Sequence, residues 1–333
     1  MLNIFNKLEQ NNESSKVIDS ILGFVIADAI GVPAEFKSRI QLKTSPVKDM
    51  VGYGTHYQPE GTWSDDSSMT IATLDSINEC GKIDYSDMMR KFYEWVSECK
   101  YTATGVFFDI GISTRNAINN YIKGVPPVQC GGTKVYENGN GSLMRILPIV
   151  LYSHSKELST DEEVKLISEA SSLTHGHEIS KLGCKIYSDY VKSLLNGFDK
   201  KEALENLSFI DYSKYYSNES LKPYQRILNG SIKDLEENMI KSTGYVVDTL
   251  EASIWCIINS ASYEEAVLKA VNLGDDTDTV GAITGSLAGI IYTYKNIPSK
   301  WIDKLKNKDY LIGVCKEFDK TLEKIKNNQK HLS

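Results

Sequence analysis

The sequence predicts an all-α protein, a single domain of many packed helices with long loops between them. Three observations carry that expectation. Most of the chain places apolar residues at the helical period. Alternating strand patterns are scarce. Gly- and Pro-rich stretches punctuate the periodic segments, and neither a Pro/Ser linker nor a repeat of fixed period divides the chain. The 333 residues are enough to bury a sizeable core, and 41% hydrophobic with 24% charged residues is ordinary for a globular chain.

The elements follow in order. The segment SSKVIDSILGFVIADAIG aligns Val17, Ile18, Ile21, Leu22, Val25 and Ile26 on one face, with Ser14 or Ser15 as N-cap. Gly31 stands where a helix C-cap is expected, as do Gly197 and Gly274. KTSPVKDMVGYGTHYQPEGTW reads as a loop. MTIATLDSINEC and YSDMMRKFYEWVSEC read as helices, and GVPPVQCGGTKVYENGNG as a second loop. DEEVKLISEASSL and EISKLGCKIYSDYVKSLLNG are again helical. Residues 207–238 are polar and Tyr-rich and read as a variable excursion. VVDTLEASIWCIINS and SYEEAVLKAVNLG return to the helical period. The Lys-rich tail mixes acids and apolar residues, which predicts an amphipathic surface helix, with a C-terminal helix over 313–333.

Bulk composition narrows the function. A net charge of -7 argues against a nucleic-acid partner, which calls for clustered Lys and Arg. The six cysteines form no CxxC pair and no zinc spacing, so they read as reduced thiols of a cytoplasmic protein. The N-terminal stretch has no apolar signal region. The apolar run from Val280 to Tyr292 is too short to span a bilayer, and no membrane segment is expected.

Two acidic clusters share a form. GTWSDDSSM holds Ser64, Asp65 and Asp66; GDDTDTVGAITG holds Asp276, Asp278 and Thr279. Each sets a hydroxyl and two carboxylates at the start of an apolar helix. Capping and the helix dipole explain one or two such residues per helix. Carboxylates this close repel unless a cation or proton lies between them, and hard cations favour such oxygen donors. The residues alone leave a shared metal site and two capped helices both open. The spacing is not that of an EF-hand. Asp28 is odd within an apolar helix, because a buried carboxylate needs partners; Glu35 follows a Pro turn. ENGNGSLMRILPI offers backbone N–H groups suited to an anion, or a plain turn. LTHGHE carries His175 and His177, without a third zinc ligand in sight.

Together these motifs resemble the ADP-ribosylglycohydrolase family, which includes dinitrogenase-reductase-activating glycohydrolase and the ADP-ribosylarginine hydrolases. ADAIGVPAEF, GTWSDDSSM, NGNGSLMRILPI, LTHGHE, TGYVVDTLEASIWC and NLGDDTDTVGAITGSLAGIIY occur in the family's order, from about Gly23 to Tyr294. The resemblance implies an orthogonal bundle of helices, a motif core over about 14–312, and two Mg²⁺ or Mn²⁺ ions in a cleft. It implies Glu35, Ser64, Asp65, Asp66, Asp276, Asp278 and Thr279 as metal ligands. Asp65, Asp66, Asp276 and Glu35 would then serve catalysis, with Glu137 as a further candidate base. Asn140, Gly141 and Ser142 would hold ADP-ribose, with His175 lining the pocket. The implied activity is hydrolysis of ADP-ribose from a protein or small-molecule acceptor, N-linked arginine first and O-linked serine second, releasing ADP-ribose. A different two-metal hydrolase, such as a phosphatase or nuclease, and a non-catalytic relative that binds ADP-ribose or serves structurally are the rival readings. Ser64 stands where the family has Thr, Ala27 and Asp275 where it often has Gly, and Glu178 where it usually has Pro.

Overall fold

A computed structural model describes residues 15–330. The principal helices are α1 (Lys16–Gly31), α2 (Asp65–Cys80), α3 (Tyr85–Glu98), α4 (Leu147–Ser155), α5 (Thr160–Ser172), α6 (Glu178–Leu195), α7 (Val246–Ile258), α8 (Tyr263–Val271), α9 (Thr277–Tyr292) and α10 (Lys308–Lys330). Among the described residues there is no β-strand, only isolated bridges such as Gly139 with Tyr245. The all-α expectation holds, and one hydrophobic cluster runs through the fold.

The packing centres on α1 and α9, which cross antiparallel with their backbones nearly touching. A Cβ placed on Gly23 would lie 2.4 Å from the Gly285 carbonyl oxygen, and one on Gly285 would lie 2.3 Å from the Gly23 carbonyl oxygen. Only glycine permits that approach. The seam sets the last turn of α1 beside the first turn of α9. Gly31 belongs to this contact. Sequence reading made it a C-cap, but its φ is -73° and α1 runs on into a 3₁₀ turn at Val32–Ala34. A side chain there would strike the backbone of Asp278 at 2.4 Å.

Ser15 caps α1, its hydroxyl accepting from the Ile18 N–H at 3.1 Å; Ser14 lies outside the described residues. The stretch Lys16–Ala34 is apolar and long enough to cross a membrane, yet it is wholly buried within the fold and acts as a core helix. The sequence reading weighed only the apolar run from Val280 to Tyr292. The tail helix begins at Lys308, earlier than the 313 expected, and buries Leu311, Ile312, Cys315 and Phe318. Its packing is the expected amphipathic one; residues 331–333 lie outside the described set. Residues 207–238 are less of an excursion than their polarity suggests. They form short helical turns that bury Tyr212, Tyr216, Tyr224, Ile227 and Ile232. The Tyr224 hydroxyl donates to the Ile179 carbonyl at 2.8 Å. All six cysteines are free thiols.

Candidate active site

The α1–α9 seam determines where the acids meet. Asp28 sits in the last turn of α1, fully buried. Its carboxylate accepts the Ser64 N–H at 3.0 and 3.1 Å, and the Ser67 N–H and hydroxyl at 3.1 and 2.5 Å. It therefore pins the start of α2 against α1. Those bonds favour its charged form, but burial outweighs them and raises its pKa to about 7.

Ser64 caps α2. Its hydroxyl lies 3.3 Å from Asp66 Oδ2, and the Thr279 hydroxyl donates to the same oxygen at 3.1 Å. Asp276 caps α9, accepting the Thr279 N–H at Oδ1, 3.3 Å away. Capping is thus real at both helices, and it leaves much of the charge unexplained. Carboxylate oxygens of Asp28, Asp66 and Asp278 lie within 4.8 Å of one another, as do those of Glu35, Asp276 and Asp278. Asp278 belongs to both groups. Asp66 Oδ1 is buried with no hydrogen-bond partner. Burial and mutual repulsion push Asp65, Asp66 and Asp278 well above the usual carboxylate range. Glu35 is raised to about 10 by burial first, then by the charges of Asp109, Asp276, Asp65 and Asp28.

A third group was not foreseen. Glu35, His56 and Asp109 converge within the same distance. His56 Nε2 hydrogen-bonds Glu35 Oε2, and the Thr55 hydroxyl donates to the Glu35 carbonyl at 2.6 Å. Asp109 is itself raised by burial, an effect the nearby His56 opposes.

The Asn140 loop joins the acids through its side chain. Asn140 Nδ2 donates to Asp276 Oδ2 at 2.7 Å and to the Thr249 hydroxyl at 2.9 Å. Its N–H donates to the Gly244 carbonyl. Asn138, two residues earlier, accepts from the Ser180 N–H and hydroxyl and so fixes the loop to α6. Ser142 is buried and accepts from the Ser171 hydroxyl at 3.0 Å. His175 is 2% exposed and packs under the loop. A Cβ on Gly141 would meet His175 Cε1 at 2.8 Å and the Thr114 hydroxyl at 3.0 Å. Burial, then the charge of Arg145, lowers the His175 pKa to about 3, so the ring stays neutral. Its Nδ1 pairs with the Thr174 hydroxyl.

A model of the ADP-ribosylglycohydrolase family matches residues 9–329. The chain belongs to the ADP-ribosylglycohydrolase family.

Its relatives include the ADP-ribosylarginine hydrolase Tri1 of Pseudomonas putida, 34% identical over 90% of this chain and 77% of that protein. The Tri1 of Serratia proteamaculans is 31% identical over 93% and 81%. Among solved structures, an ADP-ribosylglycohydrolase-related protein complex aligns with a TM-score of 0.77 at 27% identity, covering 92% of this chain and 98% of that one. The fold is therefore that of an ADP-ribosylglycohydrolase, and the chain is a hydrolase of that family.

For this glycohydrolase, Glu35, Ser64, Asp66, Asp276, Asp278 and Thr279 come together as expected. Asp65 lies outside the tightest groups, although its charge acts on Glu35 and Asp66. Glu137 stands apart. Its carboxylate accepts the Lys134 N–H at 2.9 Å and closes its own turn against Gly132. His177 serves as the N-cap of α6, accepting the Ile179 N–H. Glu178, where the family usually has Pro, accepts the Ser217 N–H and hydroxyl, tying residues 207–238 to α6. Asp275 is exposed with φ 61°, a backbone state in which the family's frequent Gly is at ease. The chemistry of the donor set suits hard divalent cations: carboxylates and hydroxyls, one buried oxygen unpaired, and no thiolate among them.

Proposed function

We propose that the protein removes ADP-ribose from arginine side chains of modified proteins, cleaving the bond between ribose C1″ and the guanidinium nitrogen. The observation that carries the reading is the doubled carboxylate group sharing Asp278, with Asp66 Oδ1 left unpaired inside it. The choice of arginine rests on the Tri1 relatives named above, at 34% and 31% identity.

Two Mg²⁺ or Mn²⁺ ions would be held by Glu35, Ser64, Asp65, Asp66, Asp276, Asp278 and Thr279. When bound they supply Lewis acidity toward the ribose 2″ and 3″ hydroxyls and toward water. The protein's own groups do the positioning. Ser64 and Thr279 hold Asp66 at Oδ2, and Asn140 holds Asp276 at Oδ2, so the carboxylates keep their orientation as substrate enters. Glu35, joined to His56, is placed to take the proton from the attacking water once bound cations favour its charged form, and to return that proton to the departing guanidine nitrogen. The 139–142 loop carries the ADP-ribose, with His175 as its neutral floor.

The test is release of ADP-ribose from an arginine-modified protein in Mg²⁺, in Mn²⁺ and in EDTA. Release that needs either ion supports the reading. Turnover of a serine-linked substrate alone would overturn the arginine assignment, and metal-independent turnover would overturn the role of the carboxylates.

A further inference from the structure

Three exposed aromatic residues lie on or beside the two turns that meet at Glu35. Phe36 is 68% exposed, Tyr53 64% and Tyr57 81%. Each has a left-handed backbone: φ is 63°, 68° and 54° respectively. Bulky side chains rarely adopt that state, so the backbone is strained at each of the three. Three strained, solvent-facing rings are therefore held where a relaxed polar loop would be more stable.

The local structure shows what holds them. Tyr53 and Tyr57 flank the 3₁₀ turn Gly54–His56. Gly54 packs so closely on the Pro33 turn that a Cβ would sit 2.1 Å from the Pro33 carbonyl oxygen. Thr55 and His56 hydrogen-bond Glu35, and the Phe36 ring lies 6.0 Å from that of His56. The Phe36 N–H donates to the Asp275 carbonyl at 2.7 Å. The backbone that carries the rings is thus fastened to the Glu35 turn, with Phe36 beside the exposed Asp275 and His56 beside Asp109.

We propose that this aromatic rim is the docking surface for the polypeptide that carries the modified arginine, and that it favours cationic sequence around that residue. The inference rests on the arginine-hydrolase reading above. Aromatic faces and carboxylates both attract ammonium and guanidinium groups. The same charges repel nucleic-acid phosphate. A free ADP-ribosylated amino acid has no flanking chain to reach the rim, so the rim sets preference for protein over small substrates.

The test uses Tyr53→Gly and Tyr57→Asn, singly and together, in the full chain. Gly and Asn accept positive φ, so the rings go while the backbone stays. Turnover is measured on an arginine-ADP-ribosylated protein with basic flanking sequence, on the same protein with acidic flanks, and on free ADP-ribosylarginine. The expected result is a KM raised roughly tenfold for the basic-flanked protein, with kcat retained. Parameters for free ADP-ribosylarginine should be unchanged, and the melting temperature should be equal or higher as strain is relieved. Equal losses on protein and free substrate would overturn the proposal, as would unchanged KM on the protein or indifference of the wild type to its flanks. If wild type cleaves none of the three, the arginine reading itself fails, which is a separate result from failure of the rim.

Discussion

Two regions bury carboxylates and treat them in opposite ways. Between α5 and α6, Glu163 is buried beside Lys185 at 3.5 Å and Lys192 at 2.9 Å, with the Ser188 hydroxyl donating at 2.7 Å. Burial would raise its pKa, but the two lysines and these donors win and hold it below the usual range. At the α1–α9 seam, Asp28, Asp66 and Asp278 meet one another, and every residue in the two groups they form with Glu35 and Asp276 is an acid. Their pKa values are raised. The first region supplies its own cations and is complete. The second supplies none. The difference is one of charge balance within the fold, because Glu163, Asp28, Asp66 and Asp278 are all buried.

The largest test of that contrast is Asp278→Ala. It removes the residue shared by both acidic groups, and turnover should fall on the order of a thousandfold or more. The Mg²⁺-induced rise in melting temperature, which any ligand specific to the native state produces, should vanish with it. ADP-ribose release reads the first effect, and calorimetric melting with and without the ion reads the second.

Glu163→Gln attacks the complete region instead. It takes the acidic partner from Lys192 and leaves the buried Lys185 to Asp189 alone, and should cost roughly 2 kcal/mol in a denaturant titration. The Mg²⁺ shift should remain, because the acids at the seam are untouched. A variant that loses the shift as well would show that the two regions are coupled.

Gly141→Val is milder. The new side chain would press on His175 and Thr114 and lift the loop. ADP-ribose affinity should fall roughly ten- to a hundredfold by calorimetric titration, with the Mg²⁺ shift intact.

Smallest is the pH dependence of stability in chelator. The raised Asp28 and Glu35 stabilise the fold fully below their unfolded pKa, near 4 to 4.5. That contribution fades as pH rises through about 7 for Asp28 and about 10 for Glu35. Glu163 works the other way: its contribution is present above its unfolded pKa and fades as pH falls through the lowered one. Between pH 5 and 8 the metal-free protein should therefore lose stability as pH rises, and excess Mg²⁺ should flatten that slope. Melting across the range at fixed ionic strength checks it.

The helices were legible because their apolar period is strong and their ends carry turn residues. The two acidic clusters were legible because a hydroxyl and paired acids recur at two helix starts. Asp28 was visible as an anomaly, a carboxylate in an apolar helix, but its partners Ser64 and Ser67 lie more than thirty residues away. His56 and Asp109 were missed for a plainer reason. Each sits in a loop rich in Gly and aromatics, and no period or spacing connects them. What links them to Glu35 is the Gly54–Pro33 contact, which exists only in three dimensions. Residues 207–238 were misjudged because buried tyrosines keep a polar composition while contributing apolar surface.

The glycine seam between α1 and α9 has a further consequence, for how the protein is made. Its two strips, around Gly23 and Gly285, are separated by more than 250 residues of chain. Contacts of that sequence separation are late to form, because the intervening loop must close before they bring any gain. During synthesis, Asp28 and Glu35 leave the ribosome long before Asp276, Asp278 and Thr279 exist. A nascent chain of 270 residues carries only part of the ligand set and has nothing to align it. On the proposed function, ion uptake and turnover would wait until residue 279 has been made, and a ribosome-stalled fragment ending before residue 276 should take up no ion at the site, however well its earlier helices have folded.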